Sequence, residues 1–221
     1  MSNKKIDNGL FIALEGGEGS GKTTLANKLQ KYYTHQGYNV VLTREPGGNA
    51  LAEKIRNCVV NNEMDAVTQL FLFAAARRLN VKEIIKPALK NGSIVICDRY
   101  LTSTFVYQGV VQKVPFYQIK TIMTIATEGL LPEIEVLLDI PAEEGLKRIS
   151  NRENNKFDEK GLEFHKKINE AYLKNSCVNR NRRRIIDASQ DPDTVAYDVI
   201  EKLNRDIRYI GIIRRNSKED D

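Results

Sequence analysis

The chain has 221 residues, 29% of them charged and 7% aromatic, with a net charge of +5. That length suits one domain with a substantial core, and no apolar run approaches the ~20 residues a membrane span needs. Three widely spaced cysteines without a CxxC pair, and two isolated histidines, argue for a reducing compartment and against a zinc site.

The first predicted element is the apolar run LFIAL, read as a buried strand. It leads into LEGGEGSGKTTL, residues 14–25. Gly16, Gly21, Lys22 and Thr23 fill the pattern GxxxxGK[ST], and Leu25, Leu29 and Tyr32 then recur at helical spacing. Strand, glycine loop and helix is the context a phosphate-binding P-loop requires. The glycines let successive backbone N–H groups aim at one point, and the helix N-terminus adds partial positive charge. Lys22 is expected to reach the β- and γ-phosphates, and the Thr23 hydroxyl to ligate Mg²⁺.

A second strand, NVVLT, ends in TREPGG, which places Arg44 where the chain leaves the sheet. On the ligand side of such a sheet an arginine suits an anion contact; otherwise the stretch is a plain turn. The helical segment QLFLFAAARRL sets Phe73 and Arg77 four residues apart on one face. Two readings stand there: a core phenylalanine with an arginine at the rim, or a base stacked on Phe73 with Arg77 bonding its edge or phosphate. The third strand, SIVICD, ends at Asp98, the usual place for an acid that orders Mg²⁺ or its waters. Arg99 follows and suits bidentate phosphate recognition.

After a fourth strand, IEVLLDI, comes a helical pattern with Arg148 and Arg152 four apart on one face. The polar stretch NRENNK then interrupts the periodicity, as a lid closing over phosphates would, or as a solvated helix end would. RIIDAS is the fifth strand. The cluster Arg180 to Arg184 has no assigned role. RDIRYIGIIR is either an extension of the last helix or a short strand, and the charged tail RRNSKEDD is expected to fray. Strands alternating with helices predict an α/β fold of three layers: a five-stranded parallel sheet flanked by helices, with the P-loop at its carboxyl edge. The basic balance comes with no helix-turn-helix, RNA-recognition or zinc-finger pattern, so neither nucleic acid nor membrane is an expected partner.

Taken together, EGGEGSGKTT, TREPGG, FAAAR, IKPAL, DRY, YQG and GLKR resemble the thymidylate kinases of bacterial type, in their order and spacings and over nearly the whole chain. The resemblance implies one P-loop kinase domain over residues 1–221 with a short helical lid at about 148–160. It implies transfer of the γ-phosphoryl of ATP to dTMP with Mg²⁺, in a cytoplasmic homodimer. The loop residues Gly16, Gly17, Glu18, Gly19, Ser20, Gly21, Lys22, Thr23 and Thr24 would hold ATP, and Arg148 would lie on its adenine. Thr23 and Asp98 would serve the metal. Glu18 would sit near the acceptor's sugar hydroxyl, and Arg44 and Arg99 on its phosphate. Phe73 would stack on thymine, with Arg77, Thr104 and Gln108 at the base, and Tyr107 would crowd the 2′ position. Lys22, Arg99, Arg152 and Lys156 are the expected catalytic cations. Position 19 is Gly where one branch of the family carries arginine, so the lid is expected to supply that charge, from Arg152 or Lys156. The alternatives are a kinase for another nucleotide or nucleoside, and a P-loop ATPase that switches a partner.

Overall fold

A computed structural model describes residues 4–150 and 160–219. Five strands form one parallel sheet in the order β2-β3-β1-β4-β5: β1 (Leu10–Glu15), β2 (Val40–Arg44), β3 (Ile94–Asp98), β4 (Ile134–Asp139) and β5 (Arg183–Asp187). All five match the apolar runs of the sequence. β1 is buried along its whole length, and alternate residues serve opposite faces, as a strand's period of two requires. Leu10, Ile12 and Leu14 pack with α1 (Lys22–His35) and α9 (Pro192–Glu219). Phe11 and Ala13 face the other way, towards α3 (Ala66–Asn80), α4 (Lys86–Lys90) and α6 (Phe116–Thr127). The sheet thus lies between two helical layers, as expected.

Helix starts follow local chemistry. Asn49 caps α2 (Ala50–Asn61) by accepting from Ala52 N at 2.8 Å. Asp65 caps α3 through Val67 N and Thr68 N at 2.9 and 3.0 Å, satisfying donors that have no partner inside the helix. α3 continues without a break through a π-helical stretch (Val81–Ile85) into α4. Likewise α5 (Leu101–Thr104) runs into a π-helical stretch, Phe105–Val111.

α7 is Ala142–Ile149, capped at Ser150, and carries Arg148; Arg152, expected on the same face, lies outside the described residues. The segment read as helix or strand is helix: α9 runs through Glu219, and the tail up to that residue is helical rather than frayed. Among the described residues no helix is long and apolar enough to cross a membrane. The last α-helix before β5, α8, spans Leu162–Lys174. α7 and α8 bracket residues 151–159, which hold Arg152, Lys156 and most of the expected lid and lie outside the described residues.

β1 pairs with β3 on one side and β4 on the other. The strand order therefore reverses beside β1, and the crevice at such a point, beyond the carboxyl ends of the strands, is where ligands bind in open parallel sheets. Register places Leu14, Arg44 and Asp98 level with one another at that edge.

Candidate active site

A cleft of about 1100 Å³ opens at this edge. At one end lies the P-loop. Gly16, Gly19 and Gly21 all have positive φ (146°, 70° and 88°), a region that costs glycine nothing and other residues strain. Close approach adds a second reason for glycine. A Cβ on Gly19 would lie 1.9 Å from the Gly145 carbonyl oxygen of α7, and a Cβ on Gly145 would lie 2.4 Å from Glu18 O. The loop and α7 therefore meet backbone to backbone. Lys22 is buried and donates to Gly16 O, Gly17 O and Ser20 Oγ at 3.1, 2.8 and 3.1 Å. Burial, and then the neighbouring Arg99, push its ammonium down to about 8, against the pull of Glu18 and Asp98. A cation short of counter-charge at the mouth of an anion cradle is poised to bind phosphate.

Thr23 Oγ1 donates to Asp98 Oδ2 at 2.6 Å. Mg²⁺ is held by one or two protein oxygens with phosphates and waters completing the octahedron. The adjacent hydroxyl and carboxylate, facing the cleft, fit such an ion.

Beside them Arg99 adopts φ 71°. One guanidinium nitrogen reaches Glu18 Oε1 at 2.6 Å, and the other reaches Gly16 O at 3.0 Å and the Tyr172 hydroxyl at 2.9 Å. Tyr107 donates to the same Glu18 oxygen at 3.1 Å, and the Arg99 guanidinium lies 5.5 Å from the centre of its ring. Arg44 forms a two-pronged pair with Glu53 of α2, at 3.0 and 2.8 Å. These residues, scattered from position 18 to 172, come together on one wall.

At the far end are Phe73, Arg77, Thr104 and Gln108. Phe73 is half-buried, lines the cleft and belongs to none of the three hydrophobic clusters. That geometry favours the stacking reading over the core reading. Arg77 is 4% exposed. Its guanidinium donates to Glu45 at 2.5 Å, Thr104 Oγ1 at 3.0 Å and Tyr100 O at 2.9 Å, so most of its fork is already engaged by protein. Gln108 Nε2 donates to Gln69 Oε1 at 2.7 Å.

Arg148 lies at the opposite rim. It donates to Ala188 O at 2.7 Å, Ser189 O at 2.9 Å and Glu144 at 2.6 Å, so its planar group is laid against the loop after β5. Arg152 and Lys156 fall outside the described residues.

Several site residues escaped the sequence reading. Glu45 anchors Arg77 and stood in view within TREPGG, but only the fold reveals its partner. Arg56 lines the cleft near Arg44, and Glu53 sits one turn before it; their spacing in AEKIR was the available signal. Gln69 and Tyr172 carried none, because each acts on a residue far along the chain.

The comparisons agree with this geometry. The family model described as Thymidylate kinase matches residues 14–199. Thymidylate kinase of Shouchella clausii is 41% identical over 203 residues, 89% of this chain and 95% of that protein. The Clostridium novyi enzyme of that name is 40% identical over 200 residues, 88% of this chain and 98% of its own length. A solved structure, thymidylate kinase from Ehrlichia chaffeensis, superposes with a TM-score of 0.73 at 32% identity, covering 88% of this chain and 98% of that one. A P-loop beneath one end of a cleft, an apolar ring at the other and this breadth of likeness lead to one conclusion: the chain belongs to the thymidylate kinase family.

Proposed function

We propose that the protein transfers the γ-phosphoryl group of ATP to dTMP, giving dTDP and ADP, in deoxythymidine nucleotide synthesis. The observation that carries this reading is the continuity of one cleft from the P-loop to Phe73, with Arg99 between. ATP takes the P-loop end, its phosphates facing Gly16–Thr24 and Lys22 and its adenine beside Arg148. dTMP takes the other end, with thymine on Phe73 and its edge towards Arg77, Thr104 and Gln108. Its phosphate meets Arg44 and Arg99, its sugar hydroxyl lies near Glu18, and the Tyr107 ring fills the space a 2′-hydroxyl would need.

Phosphoryl transfer asks for two substrates in line and for positive charge on the moving oxygens, with little covalent help. Arg44 and Arg99 hold the acceptor against repulsion by the donor. Lys22 gives up the three oxygens it now bonds and turns to the phosphates. Thr23 and Asp98 would hold Mg²⁺, which would supply further neutralising charge. Arg152 and Lys156, within a lid at about 148–160 of a single kinase domain, close over the phosphates.

The protein is further taken to work in the cytoplasm as a homodimer. Val67 and Phe71 on α3 and Ile125 on α6 are 42%, 58% and 69% exposed. Arg78, seven residues after Phe71 and so on its face, donates to Ile125 O at 3.3 Å, which brings these apolar groups onto one surface suited to a second copy. ADP release measured with dTMP, dUMP, dCMP and UMP tests the assignment. Turnover with dTMP far above the others is expected, and equal or greater turnover with another acceptor overturns it.

A further inference from the structure

Behind the cleft wall lies a buried acid that the reaction as described does not use. Glu15, at the end of β1, is 0% exposed and does not line the cleft. Its Oε1 accepts from Tyr100 N at 2.9 Å and Ser103 N at 3.2 Å, and its Oε2 accepts from Ser103 Oγ at 2.6 Å. Ser103 Oγ lies 2.7 Å from the Tyr172 hydroxyl, which lies 2.9 Å from an Arg99 nitrogen; that nitrogen also reaches Ser103 Oγ directly, but at a longer 3.5 Å.

The polarity of this chain is fixed by its ends. A guanidinium only donates, so the Tyr172 oxygen must accept. The single Tyr172 proton is then free for Ser103 Oγ, and the single Ser103 proton for Glu15. An ionised carboxylate accepts all three of its donors at once. A protonated Glu15, or an amide in its place, puts a donor against Ser103 or against the two backbone N–H groups. One hydrogen in the chain then has no acceptor, a costly state for a buried group.

We infer that Glu15 is a positioning residue for phosphoryl transfer: its carboxylate terminates a one-way hydrogen-bond chain, Arg99 to Tyr172 to Ser103 to Glu15, that fixes the Arg99 guanidinium for the acceptor phosphate. It also holds the first turn of α5 through Tyr100 N and Ser103 N, directly after the left-handed residue that carries the guanidinium. This rests on the reading that Arg99 binds the phosphate of dTMP.

The charged and titratable surroundings bear on when the chain is complete. Glu135 on β4 faces Glu15 and is itself bound by Thr102 Oγ1 and Ser176 Oγ, with Arg183 Nε of β5 at 3.0 Å but out of hydrogen-bond alignment. Arg99 follows β3, Tyr172 comes from α8, Lys22 from α1, Arg77 from α3, and Cys177 from the loop before β5. Burial, and then the Glu135 carboxylate, push Glu15 up to about 7, against the pull of Ser103, Arg99 and Tyr100 N–H. The acceptor end therefore forms as pH rises through neutrality.

Steady-state kinetics of Glu15→Gln, Tyr172→Phe and their double variant test the chain. At about pH 8, where wild-type Glu15 is ionised, Glu15→Gln should raise the KM for dTMP about tenfold, the loss of one hydrogen bond to a charged group, with the ATP KM nearly unchanged. The ratio of variant to wild-type KM should shrink towards one at about pH 6, where the wild-type chain has lost its acceptor; the ratio cancels titration of the substrate phosphate. The double variant should be no worse than the more affected single variant. A ratio independent of pH, or additive effects, or a lowered Tm with the dTMP KM unchanged, overturns the proposal. If Glu15→Gln does not fold, Ser103→Ala severs the chain and Tyr172→Phe leaves only the long Arg99–Ser103 contact, both keeping the carboxylate, and an unchanged dTMP KM in both overturns the proposal equally. Arg99→Ala separates the two levels. If it leaves the dTMP KM alone, the reading of Arg99 fails; if it raises that KM while the chain variants do not, only the chain fails.

Discussion

Phe73 and Lys22 show how a side chain's surroundings decide its work. Phe73 stands at the cleft wall outside every core cluster, so Phe73→Ala should weaken dTMP far more than ATP. Loss of a base-stacking partner costs about 1–3 kcal/mol in nucleic-acid contacts of this kind. The KM values for the two substrates, with a melting curve, check it: a collapsed Tm with the dTMP KM intact would return Phe73 to the core. Lys22→Ala should abolish turnover while the protein stays folded, because among the described residues the ammonium bonds only the P-loop itself, at Gly16, Gly17 and Ser20. Activity at saturating ATP and circular dichroism together decide that. Lys22 stood out in the sequence because the P-loop is a short contiguous motif; at Phe73 the spacing left the core and stacking readings both open, and only the family resemblance pointed to the second. What lay hidden at this scale is the company a residue keeps. Arg77 is engaged by Glu45, thirty-two positions away. Tyr172 meets Ser103 across sixty-nine, and no spacing rule connects positions so distant.

Among the elements, the pair α7 and α8 matters most for the phosphate cradle. α7 touches the P-loop through Gly145. α8 does so through Asn169, whose Oδ1 would lie 2.2 Å from a Cβ on Gly17 and whose amide donates to Ile140 O at 2.6 Å. The segment between them thus springs from two helices seated on the phosphate cradle. Since a side chain at position 19 would strike α7, the charge on the transferring phosphoryl has to come from elsewhere. Arg152→Ala should lower the turnover number by roughly 10³-fold or more, as removal of an arginine finger does. Lys156→Ala should cost less, for lysine lacks the planar fork. Turnover of both variants under saturating ATP and dTMP checks the order; a crippled Lys156→Ala beside a near-normal Arg152→Ala reverses it. The five strands were readable from their apolar runs, and so was their parallel arrangement from the helices between them. Helix ends were not. α7 stops at Ile149, and α9 continues through a stretch whose composition looks like a tail. Terminal turns depend on packing that periodicity does not encode.

The whole molecule carries the cost of its buried acid. Folded, Glu15 keeps its proton up to about pH 7, while an unperturbed glutamate releases it near 4.5. Between those values the folded state binds more protons than the unfolded one, so stability falls as pH rises through the window. The slope reaches at most about 1.4 kcal/mol per pH unit for one group. Glu15→Gln should flatten that part of the profile, which urea melts of both proteins on either side of the window would reveal; parallel profiles would mean that the folded carboxyl is unperturbed. The meeting of Gly19 with Gly145 reaches further, into the ancestry such a chain can have. A loop arginine would need the volume that the α7 carbonyl fills, and α7 comes this close only because position 145 is itself a glycine against Glu18. Either change made alone breaks the contact before any gain in charge is collected. A lineage that starts from this backbone could therefore place a charged side chain at position 19 only by remodelling two distant stretches of chain together, a steric ratchet on the loop.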